Sequence, residues 1–145
     1  MNILIINGPN LNFTGQREVE IYGNQSFEQI LHELQETYPG HQFDYFQSNH
    51  EGALIDCLQK YILQDGVIVN AGAFSHYCYA LHDALKMVNI PKVEVHLSNV
   101  FTREPFRHVS VISPACDGVI SGLGKWSYFL AAQWITWTNE QNLEG

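Results

Sequence analysis

The chain has 145 residues, one domain's length, and at 46% hydrophobic and 15% charged it has material for a core and is not a disordered chain. Fifteen acidic residues against seven basic give a net charge of −8, which argues against a nucleic-acid or anionic-membrane surface, since both need clustered Lys and Arg. Its apolar stretches fall far short of the roughly 18–20 residues that span a bilayer.

Residues 2–7 (NILIIN) form a continuous apolar run that stops at Gly8-Pro9, as a buried strand does. Ser26 with Gln29 spells a capping box. Phe27, Ile30, Leu31 and Leu34 then share one helical face as far as Pro39-Gly40. Segment 42–47 (QFDYFQ) alternates like a strand. Residues 51–64 carry Leu54, Ile55, Leu58 and Ile62 at helical spacing, and Gly66 precedes VIVN, a second buried strand. Residues 76–88 predict a helix with Tyr77, Ala80, Leu81, Ala84, Leu85 and Val88 on its apolar face. After Pro91, a strand is expected over 92–97 (KVEVHL), another over 118–121, and a helix over 125–138, with the polar tail TNEQNLEG fraying.

This alternation predicts an α/β fold with a mainly parallel sheet, because parallel strands need crossover connections and those are usually helical. Five strands in this length favour a three-layer flavodoxin-like domain over 1–145, strand order 2-1-3-4-5, with helices on both faces. No internal repeat or linker divides it. The opening MNILIINGPN lacks a positive n-region, so no signal peptide is expected. Cys57, Cys78 and Cys116 are odd in number and far apart, which predicts reduced structural thiols in a cytoplasmic protein.

In an open α/β sheet, ligands bind outside the carboxyl ends of the strands. Those ends lead here into 7–22, 47–51, 70–76 and 96–99, four loops crowded with amides, hydroxyls and imidazoles. The three arginines, Arg17, Arg103 and Arg107, all lie in loops after the first or fourth strand, while the four lysines scatter over helix and strand positions. Arginine's planar fork suits carboxylate or phosphate, so an anionic small molecule is expected.

Several site types are missing. Gly118–Lys125 resembles a phosphate loop, but Val119 stands where its first glycine belongs and Trp126 where Ser or Thr would bind magnesium. There is no GxGxxG after the first strand, no GxSxG elbow and no HExxH, and the acidic residues do not cluster for a metal. A phospho-receiver domain would have Asp where Asn7 and Asn70 stand.

The stretches NGPNLNFTGQREVEIYG (7–23), QSNHEGALID (47–56), NAGAFSHYCYALHDAL (70–85), EVHLSNVFTREPFRHVS (94–110) and GVISGLGKWSYFLA (118–131) resemble type II 3-dehydroquinate dehydratase over nearly the whole chain. The resemblance implies a flavodoxin-like protomer, trimers assembled into a homododecamer, and a hydro-lyase that converts 3-dehydroquinate to 3-dehydroshikimate without metal or other cofactor, in the shikimate pathway or in quinate breakdown. The departures are local. Val19 and Ala71 stand where the family has Pro, Thr14 where it has Leu, Phe101 and Val109 where it has His, and His82 where it has Arg. Phe74 and Tyr77 also vary their stretch.

The resemblance implies Tyr22 as the base. A free phenol titrates near 10, so it needs a cation nearby, and Arg17, five residues earlier, is the candidate. His96 is implied as the general acid. Glu94, two residues before it on a strand, shares its face and would orient the ring. Asn10 is matched to enolate stabilisation, Asn70 and the backbone of Leu97 and Ser98 to the substrate carboxylate, and Arg107 and His76 to its ring hydroxyls. Asp83 is matched to a residue that reaches the neighbouring subunit's site. Gly8 and Gly72 would let backbone approach the ligand closely. The rival reading is a non-catalytic flavin- or nucleotide-binding module on the same fold, which would purify with its ligand's absorbance.

Overall fold

The computed structural model describes residues 1–16 and 18–145. Its five parallel strands are β1 (Asn2–Asn7), β2 (Gln42–Gln47), β3 (Gly66–Asn70), β4 (Lys92–His96) and β5 (Gly118–Ser121), in the order β2-β1-β3-β4-β5. The helices are a single turn α1 (Val19–Tyr22), then α2 (Phe27–Thr37), α3 (Glu51–Lys60), α4 (Tyr79–Met87) and α5 (Trp126–Glu144). This is the flavodoxin-like order expected above.

Side chains alternate across a strand, and the two cores follow that parity. Ile3, Ile5, Ile68, Val93 and Val95 pack against Phe27, Ile30 and Leu34 of α2 and Tyr128 and Ile135 of α5. Leu4, Ile6, Val67 and Val69 face Leu54 and Leu58 of α3 and Leu81 and Leu85 of α4. β1 and β3 are covered on both faces, so their sequences are unbroken apolar runs; the edge strand β2 is only half-buried. The capping box forms as spelled, with Gln29 N donating to Ser26 Oγ at 3.3 Å and Ser26 N to Gln29 Oε1 at 2.9 Å.

Three helices depart from expectation. α3 ends at Lys60 rather than 64, because Tyr61 leaves helical geometry and the chain must turn to pair Asp65 N with Asn2 O at 2.7 Å. Ile62 and Leu63 are left exposed. Residues 76–88 are not one helix: a 3-10 turn covers Gly72–His76, Cys78 caps α4, and Tyr77 is exposed rather than core. The carbonyl of Ser75 instead accepts from Val111 N at 2.7 Å, a tertiary bond that competes with helix continuation. α5 continues through the polar tail to Glu144, with Asn139 Nδ2 bonded to Asp65 O at 3.0 Å, which ties that turn to the start of β3. Among the described residues no helix is long and apolar enough to cross a membrane.

Candidate active site

Three of the four carboxyl-end loops meet in one cleft, and specific backbone devices place the first and the third. β1 runs into Gly8, whose N donates to Asn70 O at 2.7 Å. A Cβ on Gly8 would sit 2.2 Å from the Ala71 carbonyl oxygen, so only glycine lets the first and third loops lie this close. Asn10 follows in the left-handed region at φ 68°, a conformation Asn tolerates. Gly72 opens the third loop at φ 57° against Pro9. The cleft is then lined by Asn10 and Tyr22 from the first loop, Asn70, Gly72 and His76 from the third, and His96, Leu97, Ser98, Arg103 and Arg107 from the fourth.

The second loop does not line it. Residues 47–51 brace the first loop instead: Gln47 Nε2 donates to Gly8 O at 3.1 Å and Asn49 Oδ1 accepts from Asn10 N at 2.9 Å. Arg17 lies outside the described residues. Asp83 sits exposed on α4 and does not line this cleft. Glu94 also stays out of the cleft, directly behind His96.

Strand spacing puts Glu94 and His96 on one face, and the structure closes that pair at 2.6 Å between Oε2 and Nε2, with Glu94 1% exposed. The other carboxylate oxygen accepts from Ser110 Oγ and Ser113 Oγ, both at 2.8 Å. Burial by itself would raise the Glu94 pKa; the hydrogen bonds from His96, Ser113 and Ser110 outweigh it and hold the group below its usual value. Glu94 is therefore an ionised acceptor that fixes the imidazole through Nε2 and leaves Nδ1 to exchange a proton. His76 stacks near that ring, centroids 6.3 Å apart, and its Nδ1 lies 2.8 Å from Val109 O. Desolvation lowers its pKa, so it is neutral at pH 7, with Nδ1–H donating to that carbonyl and Nε2 an acceptor.

Arg103, a rim arginine to which the resemblance gives no specific role, stands in the site. Its guanidinium carbon lies 5.1 Å from the centroid of the Tyr22 ring, Nη1 donates to Ser98 Oγ at 3.3 Å, and Nη2 pairs with Glu18 at 3.9 Å. The clustering of all three arginines in rim loops was the available signal. Arg107 is held by Glu104 and lies over Phe106, 4.6 Å from its centroid. Ser110, Ser113 and Tyr128 were also missed, as hydroxyls in a loop and an aromatic in a helix carry no signature.

The family-variant positions lie around these groups. Thr14 is buried, its Oγ1 donating to Leu11 O at 2.6 Å, and Val19 opens α1 just before Tyr22. Phe101 and Val109 are exposed. The described residues contain no group of three or more His, Cys, Asp or Glu that could hold a metal.

A flavodoxin-like sheet with an Arg–Tyr pair and a Glu–His pair on one rim describes an acid–base enzyme. The model of the family Dehydroquinase class II matches residues 1–136, and the chain belongs to that family. It is 51% identical over 133 residues to the 3-dehydroquinate dehydratase of Caldicellulosiruptor bescii, covering 89% of this chain and 92% of that one. It is 48% identical over 137 residues to the enzyme of the same name from Thermotoga maritima, covering 93% and 94%. Among solved structures, the type II dehydroquinase of Butyrivibrio crossotus superposes with a TM-score of 0.91 at 47% identity, over 94% of this chain and 97% of that one.

Proposed function

We propose that this chain, as one domain over 1–145, dehydrates 3-dehydroquinate to 3-dehydroshikimate by stepwise acid–base elimination. Tyr22 takes the proton from the carbon beside the ketone, and the electron pair becomes an enolate. Asn10 stabilises the enolate oxygen. The enolate re-forms the ketone, the bond to the hydroxyl on the next carbon breaks, and His96 Nδ1 gives that hydroxyl its proton. One water leaves; the Tyr22 proton passes to solvent and His96 is reprotonated. Arg103, with Arg17, stabilises the phenolate, and Glu94 keeps the His96 ring in place. Asn70 and the backbone of Leu97 and Ser98 receive the substrate carboxylate, and Arg107 and His76 its ring hydroxyls.

The observation that carries this reading is the convergence of Tyr22 under Arg103 and of His96, backed by Glu94, on the same cleft. A second part of the proposal is assembly. Asp83 completes a neighbouring subunit's site in a cytoplasmic homododecamer, a tetramer of trimers. Exposed Trp126, Leu130, Trp134 and Trp137 on α5 support burial against other copies.

The test is incubation of the purified chain with 3-dehydroquinate while following the absorbance of a conjugated enone. Absorbance should rise, and neither EDTA nor borohydride should abolish it: among the described residues no cluster of acidic, His or Cys groups could hold a metal and none that lines the cleft is a lysine that could form a Schiff base. No rise, or inactivation by borohydride in the presence of substrate, overturns the reading.

A further inference from the structure

β1 and β3 end in register on asparagines, Asn7 opposite Asn70. By strand parity both side chains turn toward the α2/α5 face, where Tyr128 of α5 is fully buried. Its hydroxyl donates to Asn7 Oδ1 at 2.8 Å and accepts from Asn70 Nδ2 at 2.9 Å. The ring is held edge-on against Phe27, centroids 5.1 Å apart. Asn70 Oδ1 meanwhile accepts from Gly72 N at 3.3 Å.

A carboxamide has two donor hydrogens on nitrogen and one acceptor oxygen, and only hydrogen bonding decides which end points where. A hydroxyl whose proton is already committed to Asn7 can offer Asn70 only a lone pair. Together with the Gly72 N–H, which requires the amide oxygen, it holds the nitrogen of Asn70 toward Tyr128. The second N–H of Asn70 is then the group left for the cleft that Asn70 lines. Desolvation raises the Tyr128 pKa strongly, so the phenol keeps the proton that polarises this chain of bonds.

We infer that Tyr128 is a positioning residue which, through Asn7, sets the orientation of the Asn70 amide so that an N–H rather than a carbonyl meets an anionic substrate group. A flipped amide would set its oxygen against that anion. The inference rests on the assignment of Asn70 to the substrate carboxylate. Such a contact is equally strong in ground and transition states, so losing it raises KM and spares kcat.

Tyr128→Phe keeps the ring and removes only the bridging oxygen. KM for 3-dehydroquinate should rise about tenfold, the scale of one hydrogen bond to a charged group, with kcat within about twofold. Asn7→Ala removes the proton's acceptor while keeping Tyr128, and should move KM in the same direction. Asn70→Ala should raise KM too, and adding Tyr128→Phe to it should raise KM no further. A purely structural role predicts a lower melting temperature and fewer active subunits at unchanged KM, and that result overturns the inference. A readout free of catalysis comes from ¹⁵N-Asn labelling, with the Asn70 side-chain signal assigned by its loss in Asn70→Ala. Exchange of its amide protons with water should quicken at least tenfold in Tyr128→Phe. Unchanged exchange refutes the Tyr128 role even if the enzyme is active. A wild-type chain that leaves 3-dehydroquinate unchanged refutes the functional reading instead, and the exchange measurement still decides the role of Tyr128.

Discussion

The Arg103 guanidinium lies over the Tyr22 ring, 5.1 Å from guanidinium carbon to centroid, although 81 residues separate the two in sequence. The Arg103 side chain is only 11% exposed, and Ser98 and Glu18 hold it from two sides. A cation held over an aromatic face is attracted to the ring, so Arg103 anchors the loop that carries Tyr22, the proposed base.

Arg103→Ala should therefore lower kcat by about 10–100-fold, a loss of one to two powers of ten for one charge contact. Arg103→Lys should recover part of it, since charge survives but the planar fork does not. Steady-state kinetics, with circular dichroism to verify the fold, check this. Equal activity in wild type and Arg103→Ala would remove Arg103 from the mechanism.

The Glu94 carboxyl gives a pH dependence with a definite sign. Its folded pKa lies below the ordinary value of 4.5, so its contribution to stability is complete above about that pH. The contribution fades as pH falls through the lower folded value, because the unfolded chain then binds the proton more readily. Glu94→Gln lacks this titration. The melting-temperature gap between wild type and Glu94→Gln should shrink as pH falls below about 4.5. A gap that widens as pH falls below that value contradicts the assignment.

The two proton transfers can be separated in heavy water. Tyr22→Phe should lose both dehydration and exchange of the carbon-bound proton, by about 10²–10⁴-fold. His96→Ala leaves the base in place, so exchange should outlast dehydration. Proton NMR of 3-dehydroquinate with each assembled variant reads both rates. Exchange at the wild-type rate in Tyr22→Phe would move the base elsewhere; normal dehydration by His96→Ala would move the acid elsewhere on the rim.

Assembly supplies the fourth prediction. Asp83 is exposed and does not line its own protomer's cleft. Asp83→Ala should lower activity per subunit while light scattering still reports a dodecamer, and isolated monomers should be poor catalysts. A fully active monomer would show that the cleft is complete on its own.

Much of this protein was legible before its structure. The apolar runs at 2–7 and 66–70 already specify central strands, because only a strand covered on both faces is apolar at every position. The Ser26–Gln29 capping box marks the start of α2, since it is a local bond pair. Glu94 and His96 could be paired from spacing alone, as a strand places i and i+2 on one face. Where tertiary bonds compete with local preference, the sequence misled: Tyr77 and Ile62 fit helical faces but end exposed. Other features were silent because they depend on distance in space alone. Nothing in the spacing of Arg103 and Tyr22, of Ser110, Ser113 and Glu94, or of Asn7, Asn70 and Tyr128 indicates that they meet. Hydrogen bonds and cation–ring contacts act over a few ångströms, and only the tertiary packing brings those groups within that range: α5 on one face of the sheet for Tyr128, the 105–115 loop on the other for Glu94, and the rim loops for Tyr22 and Arg103.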